Sequence, residues 1–376
     1  MPAKTRLLLV GAGHVHLEVL LRLILETPAE LETTIVSLEA RHLYSGMVPG
    51  YLAGQYTVDD IGFDVMGIAR RAGADCVVGR ASRLDPRART VTLEDGRTLS
   101  YDLVSLNIGS LLAGAEGPAV RYAARIKPLD RAAQLKERLS ALEAGQGSRP
   151  ARIVVVGAGA GGVEVAFAAA AALDRAGRPR EVTIVDRDAR ILPGYGGRFQ
   201  RRARRALEAH GIRCRLGARA TAVEPNRVVL EGGGAIPSDL TVWLTGPQGA
   251  PLLAESGLPT DPRGFLWTED TLHSTADSGV FAVGDCGTMA GHATLAKSGV
   301  YAVREAPILW HNLLATARGH PLIAYRPQRG FLSILNTADG RALLHYKGLA
   351  SWSRWAWRLK DRIDRGFMRR YRRLTE

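Results

Sequence analysis

The chain has 376 residues, of which 46% are hydrophobic and 23% charged, and its formal net charge is +13. This length suffices for two or three domains, and the composition is that of a globular protein with a buried core. The cysteines Cys76, Cys214 and Cys286 are far apart, which argues against a disulfide framework or a zinc site and favours a reducing compartment. We expect no bound metal. No apolar run reaches the roughly 18 residues of a spanning helix, and we expect no cleavable signal because residues 1–6 lead directly into a glycine loop.

The first predicted unit is a strand, a glycine loop, a helix and a second strand. The apolar run TRLLLV precedes GAGHVH, LEVLLRLILE has helical periodicity, and TTIVSLEA is β-branched. Gly11 and Gly13 match the first two glycines of G-x-G-x-x-G, whereas His16 takes the third position. We expect a side chain there to widen the contact between helix and strand. Glu39 is the candidate acceptor for ribose hydroxyl groups, with Ser37 as the alternative end of the strand.

The same order of elements returns in the second half of the chain as ARIVVVGAGAGG, VEVAFAAAAALDRAG and EVTIVDRDA. Here Gly157, Gly159 and Gly162 complete the motif. Such a loop makes a tight turn, lets the backbone approach a pyrophosphate and directs helix N-terminal amides at its charge. The alternative is that these glycines only permit the helix to pack closely on the strand.

Asp186 ends the next predicted strand and is able to accept hydrogen bonds from a ribose 2′-hydroxyl group. A carboxylate there repels a 2′-phosphate, so the sequence favours NADH. Arg187 and Arg190 follow closely and leave NADPH as the alternative cofactor.

A third buried strand ends in an acidic residue, Asp285, within GVFAVGDCG. This position suits a carboxylate that meets a polyol, and the alternative is a turn aspartate that caps a helix. Cys286 follows, and we expect it to pack in the core rather than to react. Between the glycine-loop units, hairpin turns are predicted at Asp95-Gly96 and 232–234, and a linker at 143–150.

The order of LVGAGHVH, LVSLNIGS, VVVGAGAGGVEVAF, TIVD, VWLTG and VFAVGDC resembles the flavoproteins with two dinucleotide-binding domains of the pyridine nucleotide–disulfide oxidoreductase superfamily. The resemblance covers about residues 6–312. Within that superfamily the chain looks most like type II NADH dehydrogenases. LYSGMVPGYLAGQY, RIKPLD and KSGVYAVREAP are similar to the NADH-dehydrogenase-like flavoproteins found fused to, or beside, selenide water dikinase.

The resemblance implies an α/β fold with two Rossmann-like domains, in which the FAD domain is discontinuous. The expected domains are 1–115 with 268–315 for FAD, 150–267 for NAD(P)H, and a C-terminal region, 316–376, with an amphipathic helix. Expected cofactor contacts are Gly11, Gly13, His14, Glu39, Gly109, Gly284 and Asp285 for FAD, and Gly157, Gly159, Gly162, Asp186 and Gly246 for NAD. A hydride then passes from NADH to FAD without an acid–base residue.

Two further residues are candidates for catalytic roles. By the resemblance, Glu164 lies near the junction of nicotinamide and flavin, and its alternative role is a solvated or capping residue in a first helical turn. Type II dehydrogenases carry A-Q-x-A-x-Q in the segment where this chain has Val300 and Arg304 in place of both glutamines. Lys297 and Tyr301 are candidates to line a different acceptor site, where Lys297 supplies a proton or binds an anionic flavin. An ordinary surface lysine is the alternative.

The C-terminal segment from Ser351 to Glu376 contains nine basic and three acidic side chains. Apolar residues recur in it every three or four positions, at Trp352, Trp355, Leu359, Ile363, Phe367, Tyr371 and Leu374. This pattern predicts one apolar stripe on a basic helix, which suits an anionic membrane surface. The alternatives are docking on the protein's own core or on a second subunit of a homodimer. Nucleic-acid binding is not expected, since no recognition motif accompanies the charge.

These features together predict an FAD-dependent NADH dehydrogenase that reduces a quinone or similar small acceptor on the cytoplasmic face of a membrane. One alternative is a soluble reductase of a protein or selenium-pathway acceptor. The other is an NADH-sensing flavoprotein in which reduction changes binding to a partner.

Overall fold

The structure is a computed structural model that describes residues 4–115, 117–129, 131–145 and 148–374. Residues 1–3 of the first expected domain, 146–147 of the expected linker and 375–376 of the tail lie outside them.

The first part of the chain forms ten strands and five helices. They are β1 (Thr5–Val10), α1 (His14–Glu26), β2 (Leu31–Ser37), β3 (Arg41–Leu43), α2 (Val48–Leu52), α3 (Val58–Ile61), β4 (Gly62–Asp64), α4 (Val65–Arg71), β5 (Asp75–Val78), β6 (Ala81–Asp85), β7 (Thr90–Leu93), β8 (Thr98–Ser100), β9 (Leu103–Leu106), β10 (Leu111–Leu112) and α5 (Arg131–Glu143). The predicted turn at Asp95-Gly96 is confirmed, because it joins the antiparallel strands β7 and β8.

The middle of the chain begins with the second glycine-loop unit. Its elements are β11 (Ala151–Val156), α6 (Ala160–Arg175), β12 (Arg180–Asp186), α7 (Gly197–Ala209), β13 (Ile212–Leu216), β14 (Ala220–Glu224), β15 (Arg227–Leu230), β16 (Ala235–Pro237), β17 (Leu240–Trp243), β18 (Pro247–Gln248) and α8 (Pro251–Glu255). Four alanines of α6, Ala168, Ala169, Ala170 and Ala172, are fully buried, and their small side chains let this helix lie close to β12 and α2.

The remaining elements return to the first sheet and then form a C-terminal unit. They are β19 (Leu266–Thr268), β20 (His273–Ser274), β21 (Asp277–Ala282), β22 (Gly287–Met289), α9 (Gly299–Arg318), β23 (Ser333–Asn336), β24 (Ala342–Tyr346), β25 (Leu349–Ser353) and α10 (Arg354–Arg372). Within the described residues, no helix combines the length and apolar character that crossing a bilayer requires.

Two sheets position the expected cofactor sites. The larger has the strand order β22-β19-β20-β21-β9-β1-β2-β5, in which β21, β9, β1, β2 and β5 are parallel to one another. The smaller, β13-β12-β11-β17, is parallel throughout. Parallel strands bring their carboxyl ends to one edge, so the loops after β1, β2, β9 and β21 meet there, and so do those after β11, β12 and β17. The predicted α/β fold with two Rossmann-like units is confirmed.

A third sheet, β23-β24-β25, lies between two basic helices. One of its faces carries Leu343, His345 and Trp352, which pack toward α6 and α7. The other carries Ala342 and Leu344, which form a cluster with α10. Helix α10 therefore covers the outer face of this sheet, while the middle part of the chain covers the inner face.

The predicted apolar stripe on the C-terminal helix is wrong. Trp352 belongs to β25, and Trp355 and Ile363 are 63% and 46% exposed. The buried face of α10 instead carries Ala356, Lys360, Asp364, Met368 and Tyr371. The sequence pattern predicted the wrong face because the charged residues Lys360 and Asp364 are buried, whereas the apolar residues Trp355 and Ile363 face solvent. The helix docks on its own chain, which was the alternative to a membrane contact through that stripe.

Candidate functional site

The three glycines of the second loop have distinct roles. Gly157 has a φ of +118°, and a Cβ on it would collide with the carbonyl oxygen of Leu244. A Cβ on Gly162 would collide with the carbonyl oxygen of Gly157, so this position is needed for close packing of helix α6. A Cβ on Gly159 would meet open space, which leaves the backbone accessible to a ligand. This division of roles fits a dinucleotide pyrophosphate.

Asp186 lies at the end of β12, beside this loop. Its Oδ2 accepts a hydrogen bond of 2.5 Å from the amide of Ala158, and its Oδ1 accepts one of 2.8 Å from Asp188. Each oxygen keeps a lone pair for a ribose hydroxyl group. Arg187 and Arg190 are exposed. Gly246 follows β17 at the same edge, and its carbonyl accepts the amide of Ala113.

The first loop is completed by a histidine rather than a third glycine. His16 is fully buried, and its Nδ1 lies 2.6 Å from the carbonyl oxygen of Gly11. A carbonyl only accepts, so Nδ1 carries the proton and Nε2 accepts the hydroxyl of Ser105 at 2.9 Å. Burial lowers the pKa of His16 to about 4, which keeps the ring neutral. The ring therefore bridges helix and sheet, and the expectation that it widens their contact stays a prediction.

Asn107 connects the first glycine loop to the end of strand β21, just before Asp285. This residue was not identified from the sequence. Its Oδ1 accepts the amides of Val15 and His16 at 3.2 and 3.4 Å, and its Nδ2 donates to the carbonyl of Val283 at 3.1 Å. A Cβ on Gly13 would collide with this side chain, so only glycine fits at this position. The available signal was a polar residue directly after the fully buried strand β9.

Asp285 lies in a short 3-10 turn after β21 and forms a polar cluster with Lys127 and Ser110. The Ser110 hydroxyl donates to Asp285 Oδ2 at 2.8 Å, and Lys127 Nζ donates to the same oxygen at 3.0 Å. Burial alone would raise the pKa of Asp285, but Lys127 and Ser110 outweigh it, so the pKa lies below its usual range. A partly buried anionic carboxylate between hydroxyl and ammonium groups suits a polyol such as the ribityl chain of FAD. Lys127 lies within the RIKPLD motif but was not assigned a role from the sequence.

The other residues expected at FAD follow strands of the larger sheet at its carboxyl edge. Gly109, with a φ of +73°, precedes Ser110, and a Cβ on it would meet open space. His14 is the first residue of α1, and its ring lies 5.3 Å from that of Tyr44. Strand β2 ends at Ser37, and Glu39 is exposed two residues later, at the carboxyl edge of the sheet.

Lys297 is held by groups of its own chain. Its Nζ donates to the carbonyl of Gly287 and, at 2.9 Å, to the hydroxyl of Thr288, and it lies 4.2 Å from the centre of the Phe265 ring. Burial lowers its pKa. These contacts differ from those of an ordinary surface lysine, and a role at an acceptor site stays a prediction. Tyr301 is also buried, on helix α9.

Glu164 lies on α6 where it meets the C-terminal unit. Its Oε1 accepts the amide of Asn336 at 2.8 Å. Burial raises the pKa of Glu164 to about 7, against the lowering effects of Lys360 and the Asn336 amide. The alternative of a solvated helix-capping glutamate is not observed. This carboxyl group has the pKa of a proton donor or acceptor at neutral pH.

The cysteines play no redox role in this geometry. All three are free, and the buried thiol of Cys286 donates to the carbonyl of Leu106 at 3.0 Å. Burial raises its pKa to about 11, so it is unreactive at neutral pH. Within the described ranges, no group of three or more metal-ligating side chains comes together.

The chain is similar to known redox enzymes over most of its length. A profile described as pyridine nucleotide-disulphide oxidoreductase matches residues 5–312. The chain is 26% identical over 357 residues to the demethylphylloquinone reductase NdbB of Synechocystis sp., covering 91% of this chain and 87% of that protein. It is 28% identical to the type II NADH:quinone oxidoreductase NdhA of Mycobacterium tuberculosis, covering 74% and 66%.

The fold has a close counterpart among solved structures. NDH2 from Plasmodium falciparum, in complex with NADH, aligns with a TM-score of 0.79 at 12% identity, covering 98% of this chain and 99% of that one. This likeness concerns the fold. The family match spans most of the chain and includes both glycine loops and Asp285, so the protein is a member of the pyridine nucleotide-disulphide oxidoreductase family.

Proposed function

We propose that this protein is an FAD-dependent NADH dehydrogenase that passes electrons to a quinone. The observation that carries the proposal is the pairing of two glycine loops at the carboxyl ends of the parallel strands of two sheets, one of them beside the partly buried Asp285 cluster. Two relatives named as quinone reductases support the acceptor class. The absence of a cysteine pair argues against dithiol chemistry.

FAD, when bound, would supply the hydride and electron transfer chemistry that links NADH to an acceptor. The chain supplies binding and orientation. Backbone amides around Gly159 would bind the NADH pyrophosphate, and Asp186 would accept hydrogen bonds from its ribose. Asp285, held by Ser110 and Lys127, would accept hydrogen bonds from the flavin's polyol chain. The neutral His16 and Asn107 fix the first glycine loop.

Glu164 is the candidate proton-transfer group beside the cofactors. Its pKa near 7 allows the carboxyl group to hold or release a proton at neutral pH. Reduction of a quinone to a quinol takes up two protons, so a group of this kind is needed near the acceptor. Lys297 is not part of this proposal, because its ammonium group is bound to Gly287 and Thr288.

The exposed face of α10 is the proposed membrane contact on the cytoplasmic side. Trp355 lies on this face with Arg358, Arg362 and Arg369, all of them exposed. A tryptophan among arginines suits the headgroup region of an anionic bilayer. The test is sedimentation with phosphatidylglycerol vesicles. The variant W355A/R358E/R362E should lose binding, while R201E/R202E, with two exposed arginines of α7, should retain it.

The decisive experiment mixes the purified protein anaerobically with NADH, and separately with NADPH, before a short-chain quinone is added. Bleaching of the flavin absorbance by NADH followed by rapid recovery with quinone is the expected result. Bleaching without recovery would redirect the search to a protein acceptor, for which the replacement of both motif glutamines by Val300 and Arg304 is the supporting observation. The absence of bleaching with either nucleotide would contradict the proposal.

A further inference from the structure

Glu305 is a buried carboxyl group that the proposed mechanism does not use. It lies on the second turn of α9, is 6% exposed, and its Oε2 accepts the amide of Gly284 at 2.6 Å. Gly284 immediately precedes Asp285, so Glu305 is hydrogen-bonded to the same turn that presents the proposed flavin ligand. A carboxylate at this place interacts electrostatically with any charge that is added on the other side of the turn.

A small cavity with polar and apolar lining residues adjoins this carboxyl group. Its volume is about 20 Å³, which is room for one water molecule. The polar residues of its lining include Thr268, Thr288, His292, Lys297, Tyr301 and Glu305. The hydroxyl of Thr268 is 1% exposed and has no hydrogen-bond partner among the described residues, as expected where a water molecule completes the network. His292, which also lines the cavity, is exposed to solvent.

We propose that Glu305 takes up a proton from solvent through this cavity when the flavin beside the Gly284–Asp285 turn is reduced. The inference rests on the proposed function. The hydride from NADH carries two electrons and one proton. A second proton, from water, converts the Glu305 carboxylate into a neutral carboxylic acid, and this removes one buried negative charge as reduction adds another. On reoxidation the proton leaves Glu305 by the same route.

The groups that face Glu305 allow its charge to change near neutral pH. Burial raises the pKa of Glu305 to about 7, the Gly284 amide and Lys297 lower it, and Asp285 raises it. Tyr325, which follows α9, interacts electrostatically with Glu305, and Tyr301 lines the cavity from the same helix. An additional negative charge beside Asp285 raises the pKa of Glu305 further, which is proton uptake.

The test is the pH dependence of the flavin midpoint potential, measured on the FAD-loaded protein with dithionite between about pH 5.5 and 8.5, on either side of a pKa near 7. A two-electron, one-proton couple changes by about 30 mV per pH unit. We expect a steeper slope in the wild type near neutral pH and about 30 mV per pH unit throughout in Glu305→Gln. Glutamine still accepts the Gly284 amide, so the turn is preserved. Glu208→Gln, an exposed carboxylate on α7, is the matched control and should behave as wild type.

An unchanged slope in Glu305→Gln would overturn the inference. A second measurement applies to the wild type alone, so that it does not depend on the variant folding. Reduction in weakly buffered solution should take up protons from a pH indicator, and the infrared difference spectrum should gain a carboxylic acid C=O band. Absence of that band would also overturn the inference. Failure of NADH to bleach the flavin contradicts the proposed function instead, because the titration with dithionite needs no NADH.

Discussion

The ring of Phe367, on the C-terminal helix, packs on the ring of His14, the first residue of α1, with centroids 5.5 Å apart. Phe367 also stacks on Tyr44 at 4.6 Å. Nearby, the hydroxyl of Tyr371 donates to the 7% exposed Glu18 at 3.0 Å. The last helix therefore closes over the glycine loop assigned to FAD and is part of that site's structure.

Phe367→Ala should weaken flavin retention. The change removes the stacking on Tyr44 and the packing on His14, which should lower the free energy of unfolding by about 2–4 kcal/mol. The flavin-to-protein absorbance ratio after gel filtration measures the effect. Trp355→Ala, on the exposed face of the same helix, should leave that ratio unchanged. Full flavin retention in Phe367→Ala would show that α10 is dispensable for the FAD site.

Lys360→Met should destabilise the protein by about 3–5 kcal/mol, because it leaves Asp364 buried without its cation. Lys360 Nζ donates to Asp364 Oδ2 at 2.9 Å and to the carbonyl of Gly46, and the two residues are 8% and 4% exposed. Urea unfolding measures the loss. The double variant K360M/D364L should recover a large part of it, and equal stability of the single and double variants would refute this account.

His16→Gly creates the third glycine of the motif, yet we expect it to destabilise the protein. It removes the hydrogen bonds to Gly11 and Ser105 and leaves a cavity and an unpaired buried hydroxyl, at a cost of about 3 kcal/mol. Thermal unfolding tests this, with His320→Gly, in an exposed loop, as the control. A gain in stability would mean that the glycine of the motif suits this position better than the hydrogen-bonded histidine, and would contradict this prediction.

Gly162→Ala should impair NADH binding and spare the flavin. The added Cβ collides with the carbonyl of Gly157, so helix α6 must move away from the loop. We expect at least a tenfold weaker NADH affinity, about 1.4 kcal/mol, in titrations of flavin bleaching. Gly161→Ala is the matched control, since its Cβ meets open space. Equal effects of the two substitutions would contradict the packing argument.

Glu164→Gln should raise the free energy of unfolding relative to the wild type. This difference should grow as the pH rises from about 4.5 to 7. The folded protein holds a proton on Glu164 up to about pH 7, whereas an unfolded glutamate loses it near pH 4.3. Between these values the native state binds more protons, so wild-type stability falls with rising pH, by roughly 1.4 kcal/mol for each unit of pKa difference. Chemical denaturation across this range measures the difference. A constant difference between the two proteins would mean that the pKa of Glu164 is not raised by folding.

The resemblance to the superfamily and the α/β fold were predictable because their signals are local. A strand, a tight glycine turn and a helix follow one another within a few residues, and turn chemistry and hydrophobic periodicity are read directly from such a segment. Gly157, Gly159 and Asp186 were identified in this way. The same holds for Asp285, since an acidic residue after a buried strand is visible in the sequence itself.

What the sequence by itself determined are the two glycine-loop units, the acidic residues at their strand ends and the basic character of the last helix. The tertiary structure alone decided which face of α10 is buried, that His16 bridges helix and sheet, and that Lys127 and Asn107 complete the proposed flavin site. The physical reason is chain separation. Tyr371 and Glu18 are 353 residues apart, and Lys127 and Asp285 are 158 apart. Burial of a charged residue such as Lys360 is favourable only where an anionic partner and a carbonyl acceptor are close to it. A local sequence pattern does not show whether such groups come together.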